Sequence, residues 1–288
     1  MLPQEFIKTS TLIGKDTMLV QGAGGNTSYK SDNQMWIKAS GKWLSNSSDE
    51  NIFVAVDFNK IKENIKNNKD EPLEGAYIVN NNLRPSIETT LHALMPHKVV
   101  LHSHPVNLLC MLILVDGRIK LAKLLKEFNF AWIPYVRPGV DLTNKLQEVT
   151  NNKKVDVLLL GNHGLVVGAE NSDQAFKLMN NILNCCELPP RKYESSLNNK
   201  INKLAFQLDM RLPSNSVIHS LGLDETSYNF CKEKKSVLYP DQAVFLGPRI
   251  SCVRSVEELK DFHRDYEKFK KMSYIVIKNV GVLVSKKA

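Results

Sequence analysis

Three histidines and one glutamate have the types and spacing of an open metal site. His102 and His104 stand two apart in Val99-Val100-Leu101-His102-Ser103-His104, a β-branched, apolar run followed by Pro105. Alternate side chains of a strand share a face, so both imidazoles can point the same way. Pro105 has no N–H for a ladder and ends the strand. A third histidine, His163, lies far downstream in Asn162-His163-Gly164, and Glu88 lies upstream in Pro85-Ser86-Ile87-Glu88. Three imidazoles leave one tetrahedral corner open, as a catalytic site requires. Imidazole ligands favour zinc, with manganese, cobalt and iron as alternatives. Such a cation is a Lewis acid that can stabilise an enediolate as a carbon–carbon bond breaks or forms. A lone histidine is more often a hydrogen-bonded structural residue; it is the set of four that points to a metal.

The elements that must position these residues read as alternating helices and strands. Residues 5 to 20 have the period of an amphipathic helix, broken by Gly22-Ala23-Gly24-Gly25-Asn26. Met35 to Ala39 and Ile52 to Val56 read as strands, and residues 58 to 82 as a polar, exposed excursion. Ser86 is placed to cap a helix from Ile87 to Leu94, with Glu88 in its first turn. His92 is four residues from Glu88, on the same helix face, where it can orient Glu88 or a ligand or simply pack. Two helices, roughly 106 to 114 and 117 to 128, follow the His-x-His strand. Trp132 to Val136 and the continuous apolar run Val155 to Leu160 are expected strands. Gly161 to Gly164 turns the chain into Leu165-Val166-Val167, and a helix spans 172 to 187. After Pro189-Pro190 come a helix near 197 to 209, strands at 243 to 246 and 274 to 277, and a charged helix near 255 to 271. The pair Ile275 to Val284 echoes Leu158 to Val167, with Val280 where His163 stands. A match this short reads as a shared strand-turn-strand solution and not as a second metal site.

At 288 residues, 43% apolar and 24% charged, the chain can bury the core of an ordinary globular protein. No run of about 18 apolar residues is present, so no spanning helix is expected. The N-terminus lacks the basic start and apolar block of a signal peptide. The five cysteines include Cys185-Cys186 but no C-x-x-C, so neither a disulfide framework nor a cysteine zinc knuckle is indicated. A reducing cytoplasm is the expected location. The net charge of +8 comes from scattered lysines without a nucleic-acid motif and reads as solvated helix faces. Gly22-x-Gly24 does not meet the dinucleotide fingerprint, because residue 27 is Thr.

Five separated motifs together resemble the class II aldolase/adducin family, which includes fuculose-1-phosphate and rhamnulose-1-phosphate aldolases. They are Gly25-Asn26-Thr27-Ser28, Ala39-Ser40-Gly41, Pro85-Ser86-Ile87-Glu88, His102-Ser103-His104-Pro105 and Asn162-His163-Gly164. The stretch Arg84 to Ala93, and the weaker Tyr239 to Pro248, look most like the aldolase half of bifunctional rhamnulose-phosphate aldolase/dehydrogenases. The strong resemblance covers about residues 5 to 190.

The resemblance implies a three-layer α/β/α fold with a mainly antiparallel central sheet, carried by residues 1 to 204. Residues 205 to 288 are then a C-terminal α+β extension. It also implies a cyclic homotetramer with sites near subunit boundaries, a sugar or sugar-phosphate substrate, and no nucleic-acid or membrane partner. By analogy His102, His104 and His163 bind a divalent cation, zinc first, and Glu88 shuttles the proton at the nucleophilic carbon. Glutamate there matches the fuculose-type pattern; the bifunctional relatives often carry Asp. Asn26, Ser40, Gly41 and Ser86 match the residues that hold the substrate phosphate. Short donors on glycine turns and a helix start are suited to an anion. Tyr135 and Arg137 shape the loop after a strand. The expected reaction is metal-dependent cleavage of a phosphorylated ketose to dihydroxyacetone phosphate and an aldehyde. The same residues would serve an epimerase, a dehydratase or a decarboxylase, and an adducin-like assembly module is a second alternative.

Overall fold

Residues 2–78, 82–150, 153–189, 200–233, 237–264 and 272–286 are described in the computed structural model of the chain. They form two units, Met1–Leu188 and Pro189–Ala288. The first runs α1 (Gln4–Lys15), β1 (Asn26–Ser31), β2 (Gln34–Lys38), β3 (Phe53–Asp57), α2 (Phe58–Lys66), α3 (Thr89–Leu94), β4 (Val99–Ser103) and α4 (Val106–Leu112). It continues through α5 (Gly117–Leu124), β5 (Phe130–Ile133), α6 (Val140–Thr150), β6 (Val157–Leu160), β7 (Gly164–Ala169) and α7 (Ser172–Cys185). The strands make one sheet in the order β3-β2-β1-β4-β7-β6-β5. Only the β5–β6 pair is parallel.

Because strand side chains alternate between faces, each strand feeds two cores. On one face Ile37, Val54 and Val56 meet Ile61 and Ile65 of α2. Further along, Val100, Leu158 and Val166 meet Leu91 of α3 and Leu142 and Leu146 of α6. The opposite face holds α1 and α7. Phe6 packs on Tyr29 and Phe53, and the Ser103 hydroxyl donates to Met179 Sδ at 3.5 Å. Each fully buried Met or Ile contributes about 1.5–3 kcal/mol through its lost apolar surface. This is the expected α/β/α layering around a mainly antiparallel sheet.

Several local expectations are corrected. The first helix stops at Lys15 because Asp16 turns extended and its carboxylate accepts from Met18 N at 2.8 Å. The segment after it joins the site: Leu19 O accepts from His104 N at 2.8 Å, and Met18 O from Val106 N at 2.9 Å. The supposed polar excursion begins with α2. Asp57 caps it by accepting from Asn59 N and Lys60 N at 2.9 Å each, and Ile61 and Ile65 are buried. Residues 79–81 lie outside the described residues. Helix α6 falls where no helix was expected. Other element ends shift by up to four residues, since boundaries are the part of an element that sequence patterns mark least sharply.

The second unit runs α8 (Lys200–Gln207), β8 (Met210–Arg211), α9 (Ser220–Leu223), α10 (Glu225–Glu233), α11 (Pro240–Leu246), β9 (Cys252–Val253), α12 (Val256–Arg264), β10 (Tyr274–Ile277) and β11 (Gly281–Ser285). Its sheet has the order β8-β11-β10-β9. The expected boundary after residue 204 cuts through α8. That helix belongs to the second unit, since Ile201, Leu204 and Ala205 pack on Val253, Leu259, Ile275 and Ile277. The expected strand at 243 to 246 is instead the end of α11. Pro240 at its first position fixes a helical φ, and a short apolar run alone cannot tell helix from strand. The helix expected to 271 is seen to Arg264, and residues 265–271 lie outside the described residues.

Candidate metal centre

The three histidines converge. His102 is the next-to-last residue of β4, whose partner β7 starts at Gly164, and His163 sits in the turn between β6 and β7. Asn162 takes a left-handed φ of 52° there, and its N–H donates to Leu112 O at 3.1 Å. Ring centroids are 4.7 Å apart for His102–His104, 4.9 Å for His102–His163 and 5.2 Å for His104–His163. One donor atom from each lies within 4.8 Å of the others, and all three residues are buried.

Gly164 makes this approach possible. A Cβ on it would stand 2.5 Å from Ser103 O, 2.9 Å from His104 Cδ2 and 3.2 Å from His102 Cε1. Gly25, at φ 60°, plays a similar part behind the site, where a Cβ would meet His102 O at 2.8 Å. His102 Nδ1 donates to Leu165 O at 2.9 Å, since a carbonyl can only accept. That fixes the tautomer and turns the Nε2 lone pair inward, where it lies 2.9 Å from His104 Nε2.

Glu88 enters the cluster from the N-cap position of α3, just ahead of the first turn where it was expected. Its Oε2 is 3.2 Å from His102 Nε2, and its Oε1 is 3.4 Å from His163 Nε2. Oε2 also accepts from Asn26 Nδ2 at 2.7 Å. This bond follows from register, because Asn26 pairs with His102 across β1 and β4. Burial works against ionisation of Glu88. The His102 and His163 rings when they carry a second proton, the Asn26 amide and His104 outweigh it and hold the carboxyl down at about 2. Glu88 Oε1 is buried without a hydrogen-bond donor. A buried carboxylate oxygen of that kind needs a partner, and a cation among the three imidazoles would be one. Zinc–nitrogen bonds of about 2.0–2.1 Å put tetrahedral ligands roughly 3.3 Å apart, so the donor set fits such an ion.

The other expected site residues form a chain running away from Glu88. Ser86 Oγ accepts from Glu88 N at 3.3 Å. Ser86 N donates to Lys38 O at 3.1 Å, and Ser40 N to Arg84 O at 2.8 Å. Ser40 and the positive-φ Gly41 are exposed beside this stitched segment. Asn26, expected with them, spends its amide on Glu88. His92 does not bond to Glu88's side chain; its Nδ1 pairs with Ser28 Oγ at 2.7 Å, and its Nε2 is buried without a partner. Tyr135 is half exposed, and Arg137 pairs with Asp141 at 3.4 Å on the surface. Sequence reasoning missed Lys38. Its buried ammonium donates to Ala23 O at 2.8 Å and Lys42 O at 2.6 Å, tying the glycine-rich loop to the Ser40 turn. A lysine in an otherwise apolar strand was the available signal.

The family model described as the Class II Aldolase and Adducin N-terminal domain matches residues 4–189. A Bacillus subtilis protein named uncharacterized oxidoreductase YuxG is 32% identical over 216 residues, which cover 69% of this chain and 30% of YuxG. The chain therefore spans less than a third of that relative. Among solved structures, the N-terminal class II aldolase domain of a conserved Thermoplasma acidophilum protein matches with a TM-score of 0.55 and 28% identity, over 63% of this chain and 90% of that one. A sugar-phosphate aldolase from Thermotoga maritima matches with a TM-score of 0.51 and 17% identity, over 73% and 97%, a likeness of fold alone.

Proposed function

Because the chain belongs to the class II aldolase and adducin family, we propose that it is a metal-dependent carbon–carbon lyase acting on a phosphorylated ketose. The observation that carries this reading is the buried Glu88 Oε1, undonated and 3.4 Å from His163 Nε2, at the edge of three convergent imidazoles. His102, His104 and His163 would hold a divalent cation, zinc by donor chemistry. Bound there, it would supply a Lewis acid for the carbonyl and hydroxyl oxygens of the sugar.

The residues divide the remaining work. Asn26 fixes Glu88 Oε2, which leaves Oε1 to move the proton. The carboxyl starts ionised, as a base requires. In the synthetic direction it would take a proton from the carbon beside the carbonyl, the electron pair left there would attack the aldehyde carbon, and the aldehyde oxygen would receive the proton back from Glu88 as it becomes a hydroxyl. In cleavage Glu88 would take the proton of that hydroxyl, the carbon–carbon bond would break with its pair left on the carbon beside the carbonyl, and Glu88 would give the same proton to that carbon. The products are dihydroxyacetone phosphate and an aldehyde. Ser40, Gly41 and Ser86 would hold the phosphate, and the family supports a homotetramer.

Turnover of phosphorylated ketoses, followed together with metal content, tests this. Glu88→Gln should keep its metal and lose at least about 100-fold in rate, the scale of a general acid/base. His104→Ala should lose both. Full metal occupancy in His104→Ala, or unchanged turnover in Glu88→Gln, contradicts the assignment.

A further inference from the structure

Lys38 is a charged residue in a place where a strand normally carries an apolar one. It ends β2 and is only 2% exposed. Met35 and Ile37 of the same strand point into the α2 core, so Lys38 points to the opposite face of the sheet. Lysine is almost never buried this far without partners, because its ammonium must leave water. A methionine would fill much the same volume without that cost. What distinguishes lysine here is therefore its donors.

Those donors meet peptide carbonyls of two separate segments. The ammonium donates to Ala23 O at 2.8 Å and to Lys42 O at 2.6 Å. Ala23 lies in the loop that leads into Asn26, between Gly22 and Gly25, which are left-handed at φ 55° and 60°. Lys42 closes the turn Ser40-Gly41-Lys42, where Gly41 has φ 75°. The main chain of Lys38 holds a third segment, since its carbonyl accepts from Ser86 N at 3.1 Å. Asn26, Ser40, Gly41 and Ser86 are the residues matched to the substrate phosphate, and Lys38 bonds to every segment that carries them.

The Ser40 turn depends on such an anchor. Ser40 and Gly41 are exposed, and a Cβ on Gly41 would meet no atom within 4 Å. The bonds that shape the turn lie on its inner side. Ser40 N donates to Arg84 O at 2.8 Å, Lys42 N to Ala39 O at 3.3 Å, and the Lys38 ammonium to Lys42 O. The bond from Lys38 has a charged donor, which makes it stronger than a neutral one. A set of donors fixed before an anion arrives binds it more tightly, because it loses less freedom on binding.

We infer that Lys38 is a positioning residue for the substrate phosphate: its ammonium holds the Ala23 loop and the Ser40 turn so that Ser40, Gly41 and Ser86 present their donors to one anion. The inference rests on the phosphorylated substrate proposed above and adds the residue that keeps its donor segments together. Lys38 acts through the turn and not on the reacting atoms.

Calorimetric titration of the metal-loaded full chain with inorganic phosphate tests it. The wild-type chain should bind phosphate. Lys38→Met should bind it at least about tenfold more weakly, the scale of one hydrogen bond to a charged group, while keeping its metal, which shows that it is folded. Ser40→Ala should also lose affinity. Because Lys38 works through the Ser40 turn, the double variant should bind little worse than Lys38→Met alone, whereas independent effects would add. Hydrogen–deuterium exchange of the wild-type chain gives a reading that needs no variant: phosphate should slow the amides of residues 39–43 and, through Lys38, those of residues 22–25. A wild-type chain that binds no phosphate would remove both the phosphorylated substrate and the inference. Equal affinity in Lys38→Met, binding indifferent to Ser40→Ala, strictly additive losses, or protection that does not reach residues 22–25 would overturn the inference alone and leave the proposed reaction standing.

Discussion

The imidazoles of this chain have unequal fates, and His92 shows it most clearly. It lies one helical turn beyond Glu88, yet it is fully buried against Ser28. Burial holds it down at about 3, although the Glu88 carboxylate pulls the other way. The unfolded chain regains an ordinary value near 6.5. Between those values the unfolded chain binds a proton that the native chain refuses, so stability falls as pH drops from about 6.5 toward 3. The loss is about 1.4 kcal/mol per pH unit for one proton. Urea unfolding of metal-free protein at pH 7, 6 and 5 should show this slope, reduced by one proton's worth in His92→Gln; an identical slope in the variant would remove His92 as its source. At this scale the sequence displayed the three histidines and Glu88, because their spacing and neighbours form motifs. It hid the Asn26–Glu88 bond, which joins residues 62 apart. That contact depends on β1 pairing with β4 in one register, and the polar run of β1 gives no alternation to predict it.

Elements bring the site together through close backbone approach. Gly164 starts β7 where any Cβ would strike Ser103 O and both neighbouring imidazoles. Gly164→Ala should therefore cost about 1–3 kcal/mol as an overpacked position and weaken metal binding, since the backbone of β4 must shift. Thermal melting and metal titration of this variant should change together; wild-type metal affinity would show that β4 and β7 do not need this contact. Strands with strong apolar runs, such as β4 and β6, were legible. Helix α2 was not, because lysines and asparagines hide the two isoleucines on its buried side. Helix α11 was misread because Val244-Phe245-Leu246 has no period of its own.

Across the whole molecule, the sequence separated a part that carries the three clustered histidines from a tail of different texture. It did not reveal that the tail reuses the β4-to-β7 topology. Outside the Ile275–Val284 stretch the correspondence lies in strand order and pairing, which side-chain identity does not record. With no histidines at the matching positions of the tail, the described residues hold one candidate centre. Metal analysis with X-ray absorption on the purified full-length chain tests this most directly. It should find about one divalent transition metal per chain, with three imidazole nitrogens at roughly 2.0–2.1 Å, and no such signal once His102, His104 and His163 are replaced. A wild-type chain that binds no such ion, or one whose bound ion shows sulfur ligands or no imidazole, would contradict the account.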